Sequence, residues 1–508
     1  MTLRIAFTSF LVFVCSAWGT TKAESAPLDL EEAIRLALAK NYAVRIEAFN
    51  GPIAQANVLA EYGRFDPNLK LQYQYSESGN PQPADPFSGV RPTSSIIATD
   101  TYDVGLAGLM PWGLQYNLGG STENRRGTFN QFAPQFYSFT GIDLKQPLLR
   151  DFGFGSGLAT LRIAKTDRAL SEWDYRQAVT DTITNVIDAY HDLYLAIQSL
   201  RAAIRSRDLA SSLVSENERR FKAGNSAESE ITTARARAAL REDAVLRADR
   251  AVRLRTNALR QLISDQRDPI LLSLPLVVVP PPPVSDVHVN PAEDFPHALA
   301  QRPDYQRSRL LVRRQKINQA YEANQRLPRI DLVGSYGYYG IGSSWPESRH
   351  DLEERKTHSY SAGAVVSVPL TFAQQRGRYR AAKLQVRQAE TRAAQMEQQV
   401  LLDVANAADE VESTQKRITA AQQARELAQR SLDDELKLHR AGKSSTLFVL
   451  QAQEVLSQAE LSEFAATSDA HKAVAEYDRQ LGRTLEKHHI QVGEPKIAGS
   501  HNQSPPRS

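Results

Sequence analysis

The sequence predicts a mainly α protein with β-strands, built from long antiparallel helical hairpins and internally duplicated. Three observations predict it. Residues 37–71 align without gaps onto 298–332, an offset of 261 that pairs Ala37-Leu38-Ala39 with Ala298-Leu299-Ala300, Asn57 with Asn318, Glu61 with Glu322 and Pro67 with Pro328. A second match, at an offset of 218, sets residues 221–226 on 439–444 and pairs Gly224 with Gly442. Apolar stripes at helical spacing fill the long stretches before both glycines. Units of this size are too long for solenoid repeats, so one unit has been duplicated once.

Residues 1–23 read as a secretory signal peptide: Arg4, an apolar run over 5–14, then small residues, with cleavage after Ala23 or Gly19. Cys15 lacks the small preceding residue of a lipoprotein site, since Val14 stands there. The first repeat, 24–268, opens with a helix over about 29–63 on Leu30, Ala33, Ile34, Ala37 and Leu38. Pro67 ends it, and Leu69, Leu71, Tyr73 and Tyr75 alternate as a strand over 67–76. Further strands are expected over about 101–109, 113–121 and 137–146. A helix over about 158–222 follows, striped by Ile183, Ile187, Tyr190, Tyr194, Ile197, Leu200 and Ile204. Gly224 stops it as a C′ glycine, and a helix over 227–263 returns.

Residues 269–290, with four prolines at 280–283, read as an extended linker. The second repeat, 291–485, has helix 291–325, strands 329–339 and 358–368, helix 374–440, a turn at Gly442 and helix 445–484. The tail, 486–508, is polar and reads as disordered. A helix of about 65 residues is about 98 Å long, too long for a compact monomer to bury. Val404, Val411 and Ile418 recur every seven residues with Ala407 and Ala421 beside them. Such spacing packs helices side by side as coiled coils, within and between chains.

Composition excludes several classes. Lys+Arg 61 against Asp+Glu 58 leaves a net charge of +3, which argues against a nucleic-acid surface. No run of 18 apolar residues occurs after position 20, so membrane-spanning helices are not expected. Cys15 is the single cysteine, so the mature chain has no disulfide, thiolate metal site or catalytic thiol. Gly153-Phe154-Gly155-Ser156-Gly157 lacks the third glycine of a dinucleotide loop, and Gly442-Lys443-Ser444 lacks the first glycine of a phosphate loop. Asp188 and His191 are two ligands, too few for a metal. No enzyme, cofactor or metal is expected.

The strands carry the period-two pattern of an outer-membrane barrel, with long polar loops at 77–100 and 122–135 and a short turn at Met110-Pro111-Trp112-Gly113. Trp112, Tyr116, Phe136, Tyr137 and Phe139 are candidates for interface girdles. A soluble antiparallel sheet has the same alternation. The strands of one chain are too few to close a barrel, and an open edge is not tolerated in lipid, so closure needs several chains.

Over about 28–485 this plan resembles the TolC-type outer membrane efflux protein family. The resemblance rests on Phe221-Lys222-Ala223-Gly224, on His439-Arg440-Ala441-Gly442, on residues 447–453 after the second turn, and on the strand ends Gln146-Pro147-Leu148-Leu149 and Val368-Pro369-Leu370. It implies a homotrimer in outer-membrane lipid whose strands close one transmembrane β-barrel and whose helices continue it as an α-barrel through the periplasm. It also implies a periplasmic adaptor and an inner-membrane pump as partners, and passive conduction of small molecules or proteins. The docking tips would be Ala223, Gly224, Asn225, Ala441, Gly442 and Lys443. The alternative is a non-conducting periplasmic coiled-coil scaffold.

Two departures stand out. The first repeat has room for four strands where the family has two, giving either an 18-stranded trimeric barrel or a hairpin over 102–121 lying outside a 12-stranded wall. At the entrance, Phe448 and Gln451 stand where the family carries aspartates. Glu228 and Glu230 would supply an acidic ring instead, or are an ordinary acidic helix start.

Overall fold

The structure is a computed structural model that describes residues 27–81, 87, 89, 94–224, 227–265, 267, 276–284 and 287–491. The signal-peptide expectation and Asn225 lie outside them. The first repeat runs α1 (Leu30–Lys40), α2 (Tyr42–Glu47), α3 (Asn50–Tyr62), β1 (Asn68–Asn80), β2 (Ser95–Leu109), β3 (Gln115–Gly127), β4 (Gln135–Pro147), α4 (Gly153–Gly157), α5 (Ala159–Lys222) and α6 (Glu228–Ile263). The second runs α7 (Pro291–Gln301), α8 (Pro303–Gln325), β5 (Arg329–Gly342), α9 (Trp345–Glu353), β6 (Thr357–Ser367), α10 (Ala373–Arg440), α11 (Thr446–Leu481) and α12 (Thr484–Lys487).

The first helix of each repeat is broken, not continuous. Asn41 is extended and its side chain accepts a hydrogen bond from Ala43 N at 2.8 Å, starting α2. Arg302 is extended because Pro303 follows it and opens α8 at the first helical position. The two breaks fall at positions aligned by the 261 offset, and the strands that follow start in step, at Asn68 and Arg329. The second offset holds as well. Lys222 and Arg440 end the long helices, and Glu228 and Thr446 start the returning ones.

The six strands form one antiparallel sheet in the order β1-β2-β3-β4-β5-β6. β2 pairs with β1 from Ser95 to Ala107, and β3 with β4 from Gln115 to Arg125. The extra hairpin is therefore part of the same sheet, between β1 and β4, and the reading that sets it apart from the other strands is corrected. The physical reason is its alternation: Tyr102, Val104, Leu106 and Leu118 continue the apolar face of β1 across the sheet. Short α9, unforeseen in the sequence, occupies the β5–β6 connection.

The helices form a layer in which α6 packs on α5, α5 on α11 and α11 on α10. One core gathers Ile34, Ala37, Val179, Ile183, Val186, Ile187, Tyr190 and Leu193 with Leu259 and Ile263. A second gathers Ala298 with Val400, Val404, Ala407, Val411, Tyr477 and Leu481. The linker is held along part of its length. Val278 pairs with Leu28, and the Tyr190 hydroxyl lies between the carbonyl oxygens of Leu28 (3.0 Å) and Val279 (2.7 Å). Order continues past residue 485: Ile490 packs against the first core.

Candidate functional site: a two-faced sheet and a paired helical tip

The register sorts every strand residue onto one of two faces. Lys70, Gln72 and Gln74 on β1 share a face with Thr101 and Asp103, with Gln115 and Asn117, and with Asp143 and Lys145. It is polar and hollowed, with a cavity of about 660 Å³ lined by Asn68, Gln115, Asn117, Asp143, Lys145 and Ser335 among others. Lys145 and Arg329 both contact Asp331, at 3.1 and 2.9 Å. Toward the far end of this face Phe139 meets Tyr339, 4.7 Å between ring centroids. A Cβ on Gly337 would collide with the Phe139 ring at 2.4 Å, so glycine makes room for it.

The opposite face carries Leu69, Leu71, Val104, Leu106, Leu118, Ile142 and Leu332, then an aromatic row of Tyr73, Tyr102, Tyr336, Tyr338 and Tyr360. Tyr73 and Tyr102 are 4.9 Å apart. An apolar band edged by aromatics, opposite a polar hollow, is the pattern of a barrel wall between lipid and water. Of the proposed girdle residues, Phe136 is on this face, Tyr137 and Phe139 are on the polar one, and Trp112 packs at the helical end against Phe154, 6.1 Å away. Every residue of β1 and β6 is exposed, and they are the two edge strands of the sheet, with no second strand partner among the described residues.

At the other end, each long helix stops at a glycine in the left-handed region: Gly224 at φ 76° and Gly442 at φ 73°. A side chain on either would meet nothing within 4 Å, so the backbone angle is what selects glycine. Ala223, Ala441 and Lys443 are exposed around them, as are Glu228, Phe448 and Gln451. Glu230 is half-buried and faces the other hairpin. There the Thr446 hydroxyl lies 3.2 Å from Asn217 Oδ1, 3.3 Å from Glu230 Oε2 and 3.3 Å from His439 Nε2. Arg220 reaches His439 from α5, donating to its ring at 3.1 Å or its carbonyl at 3.3 Å. Asn217, His439 and Thr446 are all buried. Burial, then the Arg220 charge, pushes the His439 imidazole below its usual range.

This cluster joins the two hairpins just above the turns, beside an apolar contact of Leu213, Leu432, Val449 and Leu450. The sequence offered no sign of it beyond polar residues at a helix start, because its members come from four helices. Farther along, Arg205–Glu460 (3.0 Å), Arg241–Glu454 and Arg479–Asp181 (3.0 Å) tie the hairpins again.

The chemical candidates resolve into structure. The 153–157 glycines form short α4 at the strand-to-helix junction, where a Cβ on Gly157 would sit 2.0 Å from Pro111 O. His191 stacks on His471, ring centroids 4.4 Å apart and planes within 11°. Burial, then His471 and Lys472, pushes His191 down to about 3. Among the described residues no group of three or more metal-ligating side chains occurs, and no helix is long and apolar enough to cross a membrane.

A family profile described as "Outer membrane efflux protein" matches residues 33–264 and 295–483, one match for each repeat. The chain belongs to the outer membrane efflux protein family. It is an outer-membrane efflux channel of TolC type, a transporter and not an enzyme, with a β-barrel part in the membrane and a helical extension in the periplasm. The scaffold alternative falls with that assignment.

Solved structures agree on the fold. The outer membrane protein VceC of Vibrio cholerae matches with a TM-score of 0.65 at 17% identity, over 89% of this chain and 96% of that one. The CmeC outer membrane channel of Campylobacter jejuni matches at 0.66 and 16%, over 95% and 94%. The MtrE outer membrane channel of Neisseria gonorrhoeae, in its open state, matches at 0.62 and 19%, over 90% and 89%. Among curated proteins no sequence matches.

Proposed function

We propose that three copies of this chain form the exit duct of a tripartite export system, with an 18-stranded barrel in the outer membrane. The observation that carries this is the pair of open edges. β1 and β6 are exposed along their whole length, and α6 and α10 end the helical layer with Leu240, Leu246 and Leu254 exposed on one and Leu401, Leu402 and Leu427 on the other. An unpaired strand edge in hydrocarbon costs several kcal/mol per backbone group. Pairing β6 of one copy with β1 of the next removes it, and six strands per chain make 18. At a spacing of about 4.8 Å and a tilt of about 40°, such a barrel is about 36 Å across between backbones, against about 24 Å for 12 strands.

The mature chain would then be two units, 24–268 and 291–485, joined by the 269–290 linker. The polar hollow faces the bore. The turns at Ala223, Gly224, Asn225, Ala441, Gly442 and Lys443 receive a periplasmic adaptor, and an inner-membrane pump supplies the energy. The entrance lies at the tips, where Glu228, Phe448 and Gln451 are exposed, and the Thr446 cluster holds the hairpins together. Planar-bilayer recording of detergent-purified protein tests this, alone and as a Gly224→Val, Gly442→Val double variant. Discrete conductance steps from a stable trimer, altered in opening by the tip variant, are expected. A monomer without steps would sink the proposal.

A further inference from the structure

We propose that the groove between α9 and the apolar face of the sheet holds an acyl chain of lipid A, the phosphorylated, multiply acylated lipid of the outer leaflet. α9 lies flat on β4 and β5 because two glycines admit it. A Cβ on Gly340 would sit 2.1 Å from Ser348 O and 2.5 Å from Leu352 N, and one on Gly342 2.5 Å from Ser348 N. Ser348 is fully buried, its hydroxyl 2.9 Å from that of Ser138. Beside this seat a groove of about 670 Å³ opens over β2 to β4, walled by Tyr102, Val104, Phe136, Thr140, Trp345 and Leu352. That volume falls in the range of small-molecule sites, roughly 300–1,000 Å³.

Position names the occupant. The groove continues the apolar band, so it opens to lipid and not to the bore. Ser138 is near the start of β4, and the helices follow the end of that strand, so the groove lies at the extracellular end of the wall. Hydrocarbon from the outer leaflet is what meets it there. Among the described residues Arg349 is the only charged side chain in its lining. It stands at the rim, 59% exposed, over the Trp345 ring at 5.8 Å and paired with the equally exposed Glu353 at 2.9 Å, a surface pair that a phosphate would share or displace. Guanidinium with an indole at an interface suits a lipid phosphate at the head of a buried chain. The proposal rests on the barrel reading above.

Native mass spectrometry of the purified full-length protein tests it, with hexa-acylated lipid A or phosphatidylethanolamine as the added probe. Wild type is expected to retain up to one lipid A per chain. Val104→Trp and Thr140→Trp, which fill the groove from exposed positions, are expected to lower retention at least tenfold. Leu332→Trp, on the same face outside the groove, is expected to leave it unchanged. No retained lipid A, equal retention in the groove variants, or equal retention of phosphatidylethanolamine would overturn the proposal. Conductance of the same preparations separates the two readings: steps without lipid overturn this one alone, and no steps overturn the channel.

Discussion

Thr446→Val removes one oxygen from the centre of the tip cluster at nearly constant volume. The Thr446 hydroxyl has three partners at 3.2–3.3 Å, Asn217, Glu230 and His439. It donates one bond and accepts one, so at most two operate together. At about 1 kcal/mol each, their loss weakens the tie between hairpins by about 2 kcal/mol per chain, or about 30-fold in its equilibrium. If three chains part together, the sum is about 6 kcal/mol and the open population rises about 10⁴-fold. If they part singly, it rises about 30-fold for each. Single-channel open probability reads the difference directly. Thr419→Val is the control, because its hydroxyl bonds only back to Gln415 O within the same helix, at 3.4 Å. An open probability in Thr446→Val that matches wild type, or a change equal to that of Thr419→Val, would refute the reasoning.

Two further outcomes follow from buried groups in the helical layer. His191 is held neutral, its value lowered from 6.5 to about 3, so the sign is that of a depressed histidine: full stability above about pH 6.5, lost as pH falls toward 3. The loss reaches about 2 kcal/mol per chain at pH 5, and His191→Phe is expected to flatten the slope of thermal midpoint against pH between 7 and 5. Tyr190→Phe strips the hydroxyl that holds Leu28 and Val279, both at 3.0 Å or less. A cost of about 1–3 kcal/mol is expected, with faster amide exchange confined to residues 28–30 and 276–279; unchanged exchange there would show that the hydroxyl does not pin the linker.

Much of this was legible because duplicated local signals recur in order. Pro67 and Pro328, then Gly224 and Gly442, punctuate both repeats, and the element ends fell within a few residues of the expected ones except on extended strands. Asn41 and Arg302 were missed as breaks because the apolar stripe runs across them: periodicity reports which side faces the core, not whether the backbone turns between two stripes. α9 was missed because residues 345–353 are charged and carry no stripe, and what holds them is the glycines of another element, Gly340 and Gly342.

The sequence by itself determined the order of the strands and long helices, the duplication and the left-handed tip glycines, since each depends on neighbours within a turn or on a signal repeated in order. Only the tertiary structure decided that the extra hairpin lies in the sheet, which face of the sheet is polar, that Asn217, Glu230, His439 and Thr446 converge, and that His191 stacks on His471. These depend on register and on side chains hundreds of residues apart. A strand's alternation is the same whether it pairs inside a wall or hangs beside it, and a buried polar residue looks like a solvated one until its partners are in place.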